Sequence, residues 1–228
     1  AAVIVAEPGR CTRLRSEPPL TFRQTPGGLY LVGTAAGPIG GDDLRLDAVV
    51  ADDAALTVRS AAAQMVFPGP RGDPSRVTCE ITVGERASLD WRPEPTVLVR
   101  GADHRSLTRI TLGHGGRLAW QEIAVLGRNR EDSGSVRIRL RVERGGSPLL
   151  CSDLALGPAW PFSSGPAGVG ASRVVGTLLI VGAEPIELPA VSGVRAGACA
   201  LSVDAVIVTA LADSVEPVAA LLDRITFT

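Results

Sequence analysis

Val83-Gly84-Glu85-Arg86-Ala87-Ser88-Leu89 reads as an apolar strand end, a tight turn and a leucine that opens the return strand. The same plan stands at Val50-Ala51-Asp52-Asp53-Ala54-Ala55-Leu56 and at Leu112-Gly113-His114-Gly115-Gly116-Arg117-Leu118. The closing leucines are 33 and 29 residues apart, from Leu56 to Leu89 and from Leu89 to Leu118. Recurrence at a nearly fixed interval marks supersecondary units that stack, each covering a face it could not bury alone. The chain is therefore expected to be all-β, mainly strands with a helix or two at the C-terminus, in a layered, coil-like or β-helix-like stack. Hairpins in an ordinary sandwich also repeat their turns, and the spacing leaves that arrangement open.

Outward from these turns the strands alternate. Leu44, Leu46, Ala48 and Val50 oppose Arg45, Asp47 and Val49. Val77, Cys79, Ile81 and Val83 share one face, and Val136, Ile138, Leu140 and Val142 oppose Arg137, Arg139 and Arg141. Period-2 alternation predicts half-buried strands, and the arginine row predicts a solvated or cross-strand-paired face. Residues 4–14 and 20–24 read as a first strand pair around Ser16-Glu17-Pro18-Pro19, with 29–32 next, and 173–181 and 205–211 as strongly apolar strands. Residues 157–171 read as a long loop carrying Trp160-Pro161-Phe162. After Asp213-Ser214, Val218, Leu221, Leu222 and Ile225 fall at helical spacing with Pro217 in the first turn, which predicts an amphipathic helix. A single domain over residues 1–228 is expected.

Composition excludes several classes of function. Charged residues are 21% and the net charge is -1, so no nucleic-acid footprint exists, and aromatics at 4% supply no base-stacking platform. No apolar run is long enough to span a bilayer and the first residues do not read as a signal peptide, so a soluble cytoplasmic protein is expected, with neither nucleic acid nor membrane as partner. Cys11, Cys79, Cys151 and Cys199 are scattered without a C-x-x-C, which argues against structural zinc; Cys79 reads as a small core residue. His104 and His114 are the only histidines, and each reads as a solvated turn residue. No Walker loop, HExxH or GxSxG is present, and Gly168-Val169-Gly170 lacks the third glycine of a dinucleotide fingerprint. No catalytic residue and no stably bound cofactor is expected.

Two acids stand out at Gly37-Pro38-Ile39-Gly40-Gly41-Asp42-Asp43-Leu44, a glycine-rich corner that opens into a strand. Aspartate beside such a corner either caps the turn through its carboxylate or offers that carboxylate to a ligand, and the sequence permits both.

Residues 89–102, Leu-Asp-Trp-Arg-Pro-Glu-Pro-Thr-Val-Leu-Val-Arg-Gly-Ala, followed by Trp120-Gln121-Glu122 and Leu126-Gly127-Arg128, resemble the urease accessory protein family UreD, called UreH in some systems. Gly37, Gly40, Gly41, Asp42 and Asp43 stand at the family's G-G-x-x-G-G-D hallmark, and 9–14 and 19–24 resemble its N-terminal segments. Where many members carry P-G-A-x-K-x-Y, this chain has Ser60-Ala61-Ala62-Ala63-Gln64-Met65-Val66-Phe67, and residues 184–189 look shorter than the family's helix.

The resemblance implies a noncatalytic, helix-poor, coil-like protein that binds UreF and, with UreF and the GTPase UreG, docks on apo-urease for nickel insertion. It further implies an internal water-filled path for Ni²⁺. Isolated carboxylates hold a borderline cation weakly enough to release it, which makes Asp42, Asp43 and Glu122 candidate way-stations. Turn capping by the aspartates, or pairing of Glu122 with Arg128 or a neighbouring strand, is the plain structural alternative. A β-rich module binding a protein or glycan through an exposed aromatic strip of Trp91, Trp120 and Trp160 is the competing functional class, with a cytoplasmic hydrolase behind it.

Overall fold

The computed structural model describes residues 1–183 and 187–226; the expected shortening over 184–189 falls partly outside the described residues. The strands are β1 (Ala2–Glu7), β2 (Arg10–Ser16), β3 (Leu20–Thr25), β4 (Gly28–Gly33), β5 (Asp43–Val50), β6 (Ala55–Ser60), β7 (Gln64–Val66), β8 (Ser75–Val83) and β9 (Ser88–Arg92). They continue as β10 (Thr96–Leu98), β11 (Asp103–Leu112), β12 (Arg117–Leu126), β13 (Ser135–Arg144), β14 (Ser147–Leu156), β15 (Val174–Val181), β16 (Arg195–Ser202) and β17 (Ala205–Ala212), closed by helix α1 (Val215–Leu222). One sheet runs β14-β13-β11-β8-β5-β1-β2, the other β16-β17-β15-β12-β9-β6-β4-β3, with β7 and β10 stacked beside β12.

The repeated turns build this β-solenoid-like stack. Each carries the chain from one sheet to the other, β5 to β6, β8 to β9 and β11 to β12, and the strands on either side are parallel to their counterparts. Leu56, Leu89 and Leu118 are direct register partners, and the last two are fully buried. Burying each such leucine contributes about 1.5–3 kcal/mol, so the periodic position is where stacking is most stabilised. The fourth residue of every turn is left-handed: Asp53 at φ 59°, Arg86 at 53° and Gly115 at 66°. A ladder of amides ties the turns together, Ala51 N–H to Ala6, Gly84 N–H to Val50 and Gly113 N–H to Val83, each 2.8 Å from the carbonyl oxygen. Gly113 is required here, because a Cβ would lie 2.7 Å from the Glu85 nitrogen of the preceding turn.

The main core lies between the sheets, from Ile4, Val50 and Val83 to Leu89, Leu118 and Leu179. Trp91 and Trp120 stack in it at 5.2 Å and 20°. A second core lies outside the ten-stranded sheet, where Val218, Leu221 and Leu222 of α1 cover Ile123, Leu178 and Val208. Arg92 fastens that helix, donating to the Leu222 and Ile225 carbonyls at 3.0 and 2.8 Å and to Asp90 at 2.9 Å.

Two expectations are corrected, and a third is settled between its alternatives. Residues 4–14 are not one strand: the chain reverses at Pro8-Gly9, with Gly9 at φ 76°, so β1 pairs with β2, while β3 pairs with β4. Turn chemistry overrode the apolar run there. Arg137 and Arg139 of the arginine row converge on Asp153, the cross-strand alternative for that row. His104 is not in a turn but in the middle of a sheet, 3% exposed.

Candidate functional site

The inward positions of β11 run His104, Ser106, Thr108, Ile110 and Leu112. Ile110 and Leu112 pack in the core, while the first three line a cavity of about 480 Å³ together with Cys79, Trp120 and Glu122. Across the gap, β12 presents Leu118, Trp120, Glu122 and Ala124 on the same alternation. The cavity opens where the exposed residues Ala35, Ala36, Ala61, Ala62 and Glu94 line it.

Glu122 is the ionisable centre of this interior. Protein encloses its carboxyl, and the surface its side chain retains faces the cavity. Burial pushes the carboxyl up to about 7, against the nearby Ser106 hydroxyl and Trp120 indole, which favour the charged form. The Trp120 N–H lies near it without a formed hydrogen bond, and Trp120 Nε1 and Thr108 Oγ1 are both buried without a partner. The lining is mostly apolar, and orphaned polar atoms gathered at one part of such a cavity are what a water molecule or a hydrated ion satisfies. Cys79 looks into the same space, its thiol pushed up to about 12 chiefly by burial and next by the Glu122 charge.

His104 lies at one end of this lining, its Nδ1 2.9 Å from Ser75 Oγ, and Ser75 Oγ lies 3.4 Å from the Asp103 carbonyl oxygen. Both contacts are used when Nδ1–H donates to Ser75 and Ser75 donates to Asp103, which leaves Nε2 an acceptor. Burial pushes the imidazole down to about 4, so it is neutral at physiological pH. Alternation could have found this trio. Once Ile110 and Leu112 set the inward phase of β11, His104, Ser106 and Thr108 follow by steps of two.

The other candidates lie elsewhere. Asp42 Oδ2 accepts the Ile39 N–H at 2.8 Å, the geometry of a capped turn, beside Gly37 and Pro38, which line the cavity. Asp43 is exposed and takes the outward phase of β5. Neither lines the cavity with Glu122, and among the described residues no group of three or more His, Cys, Asp or Glu is placed to hold a metal ion. Glu122 does not pair with Arg128, which is held by Glu131 at 2.8 Å; its neighbour in the sheet is Thr177. His114 is exposed in its turn. Trp91 and Trp120 are 4% and 3% exposed, so no aromatic strip of the three tryptophans reaches the surface.

Fold and interior define a class: a coiled β protein whose stacked turns hold two sheets around a cavity with a single carboxyl at its centre. The chain belongs to the UreD urease accessory protein family, whose sequence profile matches residues 5–228. It is similar to the urease accessory protein UreD of Frankia casuarinae, 40% identical over 196 residues that cover 81% of this chain and 61% of that protein. It is also similar to urease accessory protein UreD 3 of Streptomyces griseus, 41% identical over 225 residues covering 92% and 87%, and to UreD of Streptomyces avermitilis, 37% identical over 221 residues covering 93% and 86%. The membership expected from the order of motifs is thus shown. Among the described residues no helix is long and apolar enough to cross a membrane.

Proposed function

We propose that this chain acts in urease maturation by docking, with UreF and the GTPase UreG, on apo-urease, and that Ni²⁺ as cargo moves through its interior past Glu122. It is a scaffold and conduit rather than a catalyst. The observation that carries the proposal is the enclosed Glu122 carboxyl facing a cavity in a member of the UreD family. One carboxylate, a neutral imidazole and hydroxyls offer a borderline cation brief coordination, whereas a preformed cage of several charged ligands would retain it. Asp42 and Asp43, behind the cavity's rim at Gly37-Pro38, are proposed as an outer acidic station, with Asp42 also capping its turn.

The test is co-expression of the chain with UreF, UreG and apo-urease, followed by affinity capture and the nickel content of the urease. The native chain is expected to capture its partners and load nickel. Glu122→Gln and the pair Asp42→Ala with Asp43→Ala are expected to capture them and load less. Full loading by Glu122→Gln would refute the interior path, and failure of the native chain to capture either partner would refute the docking. A misfolded aspartate pair would assign those residues to turn capping alone.

A further inference from the structure

The lining of the cavity has two unlike parts. Most of it is aliphatic or aromatic, including Leu20, Leu31, Leu46, Met65, Leu98 and Trp91. Its polar end is built by His104, Ser106 and Thr108 of β11 and by Glu122 of β12. A volume of about 480 Å³ with a broad apolar wall and a few convergent polar groups is the form of a site for a small organic molecule.

The charge of the lining has one sign. Glu122 and, at the mouth, the exposed Glu94 are its carboxyls; no arginine lines it, and the chain contains no lysine. A carboxylate enclosed by protein is stable only when a countercharge faces it and its lone pairs are used. Around Glu122 the chain supplies hydroxyls and an indole, but no cation. What completes this end is therefore a positive charge.

A hydrated metal ion in transit satisfies that end alone and sets its water shell against the apolar wall. An organic ammonium ion matches both parts. Its N–H groups donate to the Glu122 carboxylate and to hydroxyl oxygens of β11, among them Thr108 Oγ1, which is buried and has no protein partner. Its hydrocarbon body removes the wall from water, and the stacked rings of Trp91 and Trp120 in the same lining favour an adjoining cation.

We propose that the cavity is a binding site for a small amphipathic amine, a primary ammonium ion on a hydrocarbon body of about six to ten carbons, held by its charge at Glu122 and by its body along the apolar wall. The site does not rest on the nickel reading. A bound amine occupies the place which that reading gives to cargo, so the two ligands exclude each other at Glu122.

The test is calorimetric titration of the full chain at about pH 8, where Glu122 is ionised and alkylamines are protonated. The probes are n-hexylammonium, methylammonium, which has the charge without the body, and 1-hexanol, which has the body without the charge. Hexylammonium is expected to bind at one site per chain, at least about tenfold tighter than either of the others. Glu122→Gln is expected to remove its advantage over 1-hexanol. Met65→Trp, which fills the wall, is expected to weaken hexylammonium by at least about tenfold, and it decides the matter should Glu122→Gln fail to fold. Hexylammonium that binds no tighter than methylammonium or 1-hexanol, that binds at several sites per chain, or that keeps its advantage in folded Glu122→Gln overturns the site. The titration contains neither nickel nor partner protein, so a failed amine site and a failure of nickel delivery are told apart.

Discussion

Glu122→Gln is expected to make this protein more stable in mildly alkaline solution. In the unfolded chain the carboxyl ionises at its ordinary value of 4.5, but in the fold burial raises that to about 7. The folded state therefore holds a proton that the unfolded state has released, and stability falls as pH rises through the window from about 4.5 to 7. The full difference corresponds to about 3 kcal/mol, and water in the cavity would reduce it toward 1 kcal/mol. Glutamine has the shape of the protonated acid and cannot ionise. Paired urea titrations of the native chain and Glu122→Gln from pH 4.5 to 8.5 should show the variant gaining about 1–3 kcal/mol over the native chain, with little difference at the acid end. Parallel curves would refute a buried, poorly solvated carboxyl. The comparison must be between variants, because His104 opposes it.

His104 is neutral in the fold and its value is depressed from 6.5 to about 4, so its contribution is present above pH 6.5 and is lost as pH falls toward 4. His104→Asn should flatten the acid side of the stability profile, and an unchanged acid limb would count against burial of a neutral imidazole. Arg92→Met leaves two carbonyls at the end of α1 without their donor and should lower stability by about 2–4 kcal/mol, seen as a fall of roughly 5–12 °C in Tm. Gly113→Ala drives a methyl into the neighbouring turn and should be destabilising by about 2–3 kcal/mol, while Gly115→Ala, in open contact with Arg86 at positive φ, should cost only about 1 kcal/mol; equal losses would refute the stacked-turn account.

The three repeated turns were legible because everything that makes them is local. Alternation of period two, a residue able to take positive φ and a closing leucine all lie within seven residues, and the coil follows once such units stack. The closing helix was legible for the same reason. Edge strand β16 was not, since its small residues are exposed on both faces and carry no alternating signal. The N-terminal hairpin was misread because Pro8-Gly9 interrupts a run whose apolar pattern alone looked continuous.

For the interior, sequence determined more than its roles. Motif order identified the family, and Glu122 was singled out by residue type and position, but alternation states only which residues share a face. Which face is inside depends on the sheet that packs against it, and that contact is made by residues far apart in the chain. Tertiary structure alone therefore decided that His104, Ser106 and Thr108 look into a cavity, that Asp42 closes a turn outside it, and that Glu122 faces the same cavity with Thr177 as its neighbour in the sheet. Those placements are long-range registers, set when two sheets exclude water from the space between them, and no local pattern encodes them.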